Sequence, residues 1–217
     1  MRGFLRRDLC LLRLGAWFYP VIVAVAFVVS MIFSKSGVAD YTVYFLLVFG
    51  MESLYTLMTY DGMNGWLPYA AAIPDGRKKM VDARYFLALC TALLLAVLLG
   101  LYTLVRGERL VLWAMGFYTG AFLLVHSVTQ PIGFCLGYVG TKGRLTVTMV
   151  TFVMLGVLGG LFSGVLKNAR EDLARGALRG DVGGFFAALA GALPLLGLGT
   201  LALSWRLSRQ IMEKKEF

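Results

Sequence analysis

The 217-residue chain holds one histidine, three cysteines and five prolines, and charged residues make up only 15% of it. Each scarcity removes a class of function. A multi-histidine metal or redox centre lacks its ligands, and none of HExxH, GxSxG or CxxC occurs. Cys10, Cys90 and Cys135 are odd in number and have no pairing motif, so neither disulfides nor a zinc site is expected. The dipeptide Gly-Lys is missing too, and with it the P-loop, whose lysine follows a glycine-rich turn to cradle phosphates. The chain is therefore expected to bind no cofactor and to be no enzyme, and a nucleotide that drives it must sit on another chain.

Apolar residues are what the chain has instead: 59% of it is hydrophobic and its mean hydropathy is +0.76, too apolar for a soluble domain. An all-α integral membrane fold is expected. A spanning helix needs about 20 mostly apolar residues at 1.5 Å rise each. Six blocks qualify, at approximately 16–33, 38–60, 84–105, 110–138, 145–166 and 183–205. No segment between them is long enough for a soluble domain, so residues 1–217 read as a single transmembrane domain. Ala24-Val25-Ala26 imitates a signal-peptide cleavage site but lies inside the first apolar run, which reads as an uncleaved anchor. The fourth block carries Pro131 past its middle and is expected to break there.

Basic residues orient the spans. With both termini cytoplasmic, the inner segments hold fourteen Lys and Arg and the outer segments seven. The net charge of +9 is spread over juxtamembrane ends and not gathered on a soluble face, so lipid headgroups are the expected partner and nucleic acid is not. The long outer segment 167–182 has Ala169, Leu173 and Ala177 on one helical face, as in an interfacial helix, although Gly176 and Gly180 favour a solvated loop.

Polar residues inside apolar blocks are the next candidates. Glu52 is the acidic residue well inside a span; it either lines a translocation path or gate, or holds two helices together by hydrogen bonding. His126, with Gln130 one turn later, invites a relay, but a relay needs a chain of titratable groups, and satisfied packing is the simpler reading. Gly156, Gly160 and Gly164 repeat at spacing four on the fifth block, which marks close helix contact, either within the subunit or, as we favour, at a dimer interface.

The segment 61–85, DGMNGWLPYAAAIPDGRKKMVDARY, is the densest in aromatic, proline and basic residues. Trp66, Tyr69 and Ile73 fall on one helical face, Pro74-Asp75-Gly76 makes a turn, and Asp75 is placed to cap a helix running into the third span. Arg77, Lys78 and Lys79 then stand at a helix N-terminus, where each positive charge is unfavourable by about 0.3–1 kcal/mol. Helix stability does not account for them, which leaves anionic lipid or a docked partner.

Several of these residues, Asp61, Trp66, Tyr69, Pro74, Arg77, Lys78, Val81, Arg84 and Tyr85, form a pattern that resembles the permease subunits of ABC-2 type ATP-binding cassette transporters. The opening Leu5 to Arg13 and the later Pro131, Gly137, Lys142 and Arg144 extend the likeness over most of the chain, which is most similar to short permeases of bacterial peptide exporters such as those that expel phenol-soluble modulins. Gly62 departs from it, standing where such permeases often carry a second acidic residue. The resemblance implies a six-span ABC-2 exporter domain in the bacterial plasma membrane that pairs with a second permease subunit, homo- or heterodimeric. It implies two copies of a separate ATPase, which would hold ATP and Mg and dock on the loop 61–84 through Asp61, Trp66, Tyr69, Ile73, Pro74, Arg77, Lys78, Val81 and Arg84. It further implies export of an amphipathic or apolar substrate, most naturally a peptide. A membrane-embedded sensor or immunity component that binds peptide or lipid without moving it is the alternative.

Overall fold

The computed structural model describes residues 2–16, 57, 60–61, 66–106, 109–136, 141–174 and 181–215. Regular structure among them is entirely helical: α1 (Arg2–Ala16), α2 (Trp66–Ala72), α3 (Gly76–Arg106), α4 (Arg109–Leu136), α5 (Thr141–Ala174) and α6 (Asp181–Lys214). The first expected span and nearly all of the second, with Glu52, lie outside the described residues.

Helices α3, α5 and α6 each contain and outrun one expected span, and α4 follows the fourth as far as Leu136. The third begins at Gly76, ahead of its apolar block and where the turn at Pro74-Asp75-Gly76 leads to a helix, and the sixth continues to Lys214 instead of ending near 205. Hydropathy marks the part of a helix that lies in hydrocarbon, whereas the backbone ladder continues into polar sequence as long as propensity allows. The same holds for α5, which runs to Ala174, so the first half of the segment 167–182 prolongs the fifth helix and does not form a separate one. Pro131 does not break the fourth block: α4 runs through it to Leu136. A proline removes one ladder bond, here to the carbonyl of Ser127, and membrane helices absorb that loss where neighbours and hydroxyls support the turn. Ser127 Oγ donates to the Leu124 carbonyl at 2.7 Å and Thr129 Oγ1 to the Val125 carbonyl at 2.9 Å in that turn.

Helix α4 is central. It packs most extensively on α6 and also touches α3 and α5. Two glycines allow this approach, since a Cβ on Gly120 would sit 2.7 Å from the Leu193 Cβ and one on Gly197 2.8 Å from the Leu123 Cβ. Gly156 and Gly160, by contrast, have nothing within 4 Å of a Cβ position and lie on an exposed face of α5 with Phe152, Val153 and Val157. The surroundings of Gly164 lie outside the described residues. The close helix contact within the subunit is thus made by Gly120 and Gly197, and the α5 glycines open outward.

Large apolar side chains cover the outer surface of the bundle, among them Leu93, Leu94 and Leu101 on α3, Met149 on α5 and Leu195 and Leu203 on α6. A surface of that kind suits lipid and not water. The stretches Gly76–Leu101 and Met115–Leu136 are long and apolar enough to cross a membrane, and Leu145–Gly160 is a shorter apolar stretch.

Gly120→Ala should lower the stability of the purified subunit by about 1–3 kcal/mol through overpacking of α4 on α6. Gly156→Ala should leave it within about 0.5 kcal/mol of the parent. Thermal unfolding in detergent checks both, and equal effects would contradict the assignment of the close contact.

Candidate functional site

The elbow between α2 and α3 is built by three consecutive residues. Pro74 fixes one turn angle, Asp75 adopts a positive φ of 55°, and the Gly76 N–H donates to the Ile73 carbonyl at 2.8 Å. The Asp75 carbonyl then accepts from the Lys79 N–H at 2.9 Å, which starts α3. A side chain at Gly76 would run into the carbonyl oxygen of Ala70, so glycine is required where α2 folds back on α3.

The inner face of α2 is Trp66, Ala70 and Ile73, at spacing four and three, while Tyr69 points outward with 57% of its surface exposed. The expected stripe of Trp66, Tyr69 and Ile73 is therefore corrected at its middle member: the helix face turns by four residues, and the small Ala70 is what fits against α3. Trp66 is enclosed from three sides. The Arg7 guanidinium lies 3.9 Å from its ring centroid, the Phe4 ring meets it edge-on at 5.9 Å, and Tyr69 lies at 4.8 Å.

Beneath Trp66 lies an ionic cluster drawn from three parts of the chain. Arg84 of α3 is 1% exposed and pairs with Asp61, and it reaches the Asp8 carboxylate of α1 at 3.6 Å and the Leu57 carbonyl at 3.4 Å. Arg7 pairs with Asp61 at 2.6 Å and with Asp8 at 3.4 Å. Two cations and two anions balance, which is the condition for burying any of them. Burial raises the Asp8 carboxyl above its ordinary value, against the pull of Arg84, with Asp61 adding to the rise and Arg7 opposing it.

The basic run at the start of α3 faces other helices of the same chain. Arg77 Nη1 donates to the carbonyls of Met212, Glu213 and Lys215 at 3.5, 3.2 and 2.8 Å, and Lys78 pairs with Glu213 at 3.0 Å. Lys79 Nζ donates to the Pro74 carbonyl at 3.2 Å. A cation that is unfavourable at the first turn of α3 is favourable at the last turn of α6, where unpaired carbonyls collect. The expectation that only lipid or a partner accounts for Arg77 and Lys78 is thereby corrected. Lys215 repeats the device, donating to the Phe134 and Cys135 carbonyls at the end of α4 at 2.8 and 3.3 Å.

One turn along α3, Asp82 accepts from Arg209 Nε and Nη2 at 2.8 and 2.5 Å and from the Trp205 indole N–H at 2.8 Å. The Tyr85 hydroxyl shares hydrogen bonds with Ser204 and Ser208 at 2.6 and 2.7 Å. The elbow is thus tied to α1 on one side and to α6 on the other. Arg7 and Asp8 of α1 and the last turns of α6 thus meet at this end of the bundle.

Residues 3–213 match a family model described as ABC-2 family transporter protein. The chain belongs to the ABC-2 transporter family. No curated protein and no solved structure matches it. Membership makes it a membrane component of an ATP-binding cassette transporter and implies an ABC ATPase as partner.

In this ABC-2 transporter the residues singled out for docking divide in two. Asp61, Val81 and Arg84 are buried, so they shape the elbow from inside. Tyr69, Pro74 and Lys78 are exposed, and Trp66, Ile73 and Arg77 lie between. Neither Asp8 nor the Asp82–Arg209 and Tyr85–serine contacts stood out from sequence; Asp8 and Asp82 are acidic residues set among basic ones, and that pairing was the available signal. His126 and Gln130 sit inside the bundle, 5% and 1% exposed, with the Phe122 ring 4.4 Å from the imidazole. Among the described residues, none gives a hydrogen-bond partner to His126 Nε2 or to either polar atom of the Gln130 amide. A buried polar group of this kind costs about 1–3 kcal/mol unless water or another polar group meets it.

Arg84→Ala should cost about 3–5 kcal/mol, or prevent folding, because it strands Asp61 and Asp8 in the interior. Lys78→Ala, which removes an exposed pair, should cost at most about 1 kcal/mol. A raised carboxyl pKa favours the protonated form in the fold. The Asp8 contribution is thus full below its ordinary value of 3.8 and declines as pH rises through the raised value. Thermal unfolding compared between the parent and Asp8→Asn should show the parent losing ground on going from about pH 4 to neutrality; a parent that gains over that window would show that the pairing with Arg84 and Arg7 outweighs burial, and would contradict the upward shift of the Asp8 carboxyl.

Proposed function

We propose that this chain is the permease subunit of an ATP-binding cassette exporter, and that its ATPase docks on the outer face of α2 and the turn that follows. The observation that carries this reading is the elbow itself. A short helix is held on its inner face by a buried ionic cluster and a glycine contact, and its outer face presents Tyr69 and Pro74 at the polar end of an apolar bundle. Force applied there would reach α6 through Arg77 and α1 through Arg84. With the termini cytoplasmic, as the basic residues favour, the elbow faces the compartment that holds ATP.

The export path in this reading passes the inner face of α4, where His126 and Gln130 offer polar atoms that no described residue meets, to water or to substrate; Glu52, outside the described residues, is assigned to the same path from its position in the sequence. A second permease subunit, homo- or heterodimeric, packs on the outward glycine face of α5 at Gly156, Gly160 and Gly164, and two ATPase copies serve the pair. The substrate is amphipathic or apolar, and the sequence's likeness to bacterial peptide exporters supports a peptide.

The test is association and coupled transport with the co-encoded ATPase. Tyr69→Ala, which removes an exposed ring, should weaken ATPase binding by about 2 kcal/mol, roughly thirtyfold, and lower coupled transport while leaving thermal stability unchanged. Unaltered binding and transport in that variant would overturn the docking assignment.

A further inference from the structure

A groove of about 500 Å³ opens between α3 and α6 on the outside of the bundle. Its walls are Phe86 and Leu89 from α3 and Leu198 and Ala202 from α6, and its end is closed by Asp82 and Trp205. The size falls in the range of about 300–1,000 Å³ over which proteins hold small molecules. The wall residues are exposed although they flank a recess, Phe86 by 43% and Leu198 by 44%. We propose that this groove is a binding site for one anionic phospholipid of the surrounding leaflet.

Two features of the groove select that occupant. First, it crosses the level at which both helices change character. Toward α3's start and α6's end stand Asp82, Trp205 and Arg209, and in the other direction the groove is lined by Phe86, Leu89, Leu198, Leu201 and Ala202, with the Tyr85 hydroxyl turned to Ser204 and Ser208. Leu198 lies seven residues from Trp205, about 10 Å along the helix, which is the reach of the upper part of an acyl chain. A tryptophan at the polar end is the usual marker of the headgroup level.

Second, a cation stands just beyond the polar end: Asp82 is the charged residue in the lining, and Arg209, outside the lining, neutralises it and faces the headgroup level. Arg209 spends Nε and Nη2 on Asp82 and stacks 4.4 Å from the Trp205 ring centroid, yet a third of its side chain remains exposed. Its orientation is fixed by those contacts before any ligand arrives, as a phosphate site requires. The neighbouring turns add Arg206 and Lys214, both exposed, and basic residues at the inner surface attract anionic headgroups. An acidic or zwitterionic headgroup differs only in charge, so charge dependence is the discriminating property. A lipid seated here would lie against the Asp82–Arg209 tie between α3 and α6.

The experiment uses the purified full chain in nanodiscs containing phosphatidylglycerol with a photoactivatable group in one acyl chain, read by mass spectrometry of the adducts. Adducts should concentrate on Phe86, Leu89, Leu198 and Ala202. Ala202→Trp, which fills the recess, should reduce them about tenfold. Leu203→Trp, an exposed position on the same helix that does not line the groove, should leave them unchanged. Arg209→Gln should remove the preference for the phosphatidylglycerol probe over its phosphatidylcholine analogue. Adducts spread evenly over the exposed apolar faces, or labelling that Ala202→Trp does not diminish, would overturn the site in favour of bulk lipid. Adducts replaced by subunit-to-subunit crosslinks at these positions would overturn it in favour of a second copy of the chain.

Discussion

A guanidinium in the interior of an apolar bundle is the constraint around which one end of this molecule is arranged. Arg84 is 1% exposed. Leaving it unpaired would cost several kcal/mol, so the fold must bring it carboxylates, and the two it finds come from Asp61 and from Asp8 in α1. Arg7 restores the balance of charge and at the same time covers Trp66. Position after position near the elbow follows from that requirement: α1 must lie against α3, residue 61 must end beside it, and α2 must fold back over the cluster through a turn that only glycine permits at residue 76.

The second set of ties uses helix ends instead of buried charge. Carbonyls that the last turn of α6 leaves unpaired are met by Arg77, and those at the end of α4 by Lys215. Asp82 joins Arg209 and Trp205 one turn away, and Tyr85 joins two serines. Together these contacts make α3 the hub to which α1, α2 and α6 are fastened at their polar ends, while α4 and α6 are held together by close glycine contacts deeper in the bundle. With the ATPase docked on the elbow as proposed, such an arrangement would make the elbow a handle on the helices fastened to it.

Much of this was legible in the chain. Apolar blocks located the cores of α3 to α6, and Pro74-Asp75-Gly76 located the elbow, because turn chemistry is local. The start of α3 followed from that turn, but the end of α6 was not legible, since Arg206 to Lys214 is largely polar sequence that continues a helix outside hydrocarbon. α1 escaped for the same reason: Phe4, Asp8 and Leu11 form an inward face on a helix that is amphipathic and not apolar. Arg77 was conspicuous as a charge in the wrong place, and the reason lay 135 residues and more along the chain, at a distance no spacing rule reaches. Gly120 and Gly197 were hidden among the many glycines, whereas the regular α5 repeat drew notice, and its members Gly156 and Gly160 face outward.

The central claim is that the elbow is fastened to the bundle by these ionic and carbonyl contacts and so moves with it. The most direct test is a distance measurement between spin labels at exposed Ala72 in α2 and Gln210 in α6, with Cys10, Cys90 and Cys135 replaced by serine. A single narrow distribution that broadens when Arg77 is replaced by alanine is the predicted result. A distribution already broad in the parent, or one that the loss of Arg77 leaves narrow and unmoved, would contradict it.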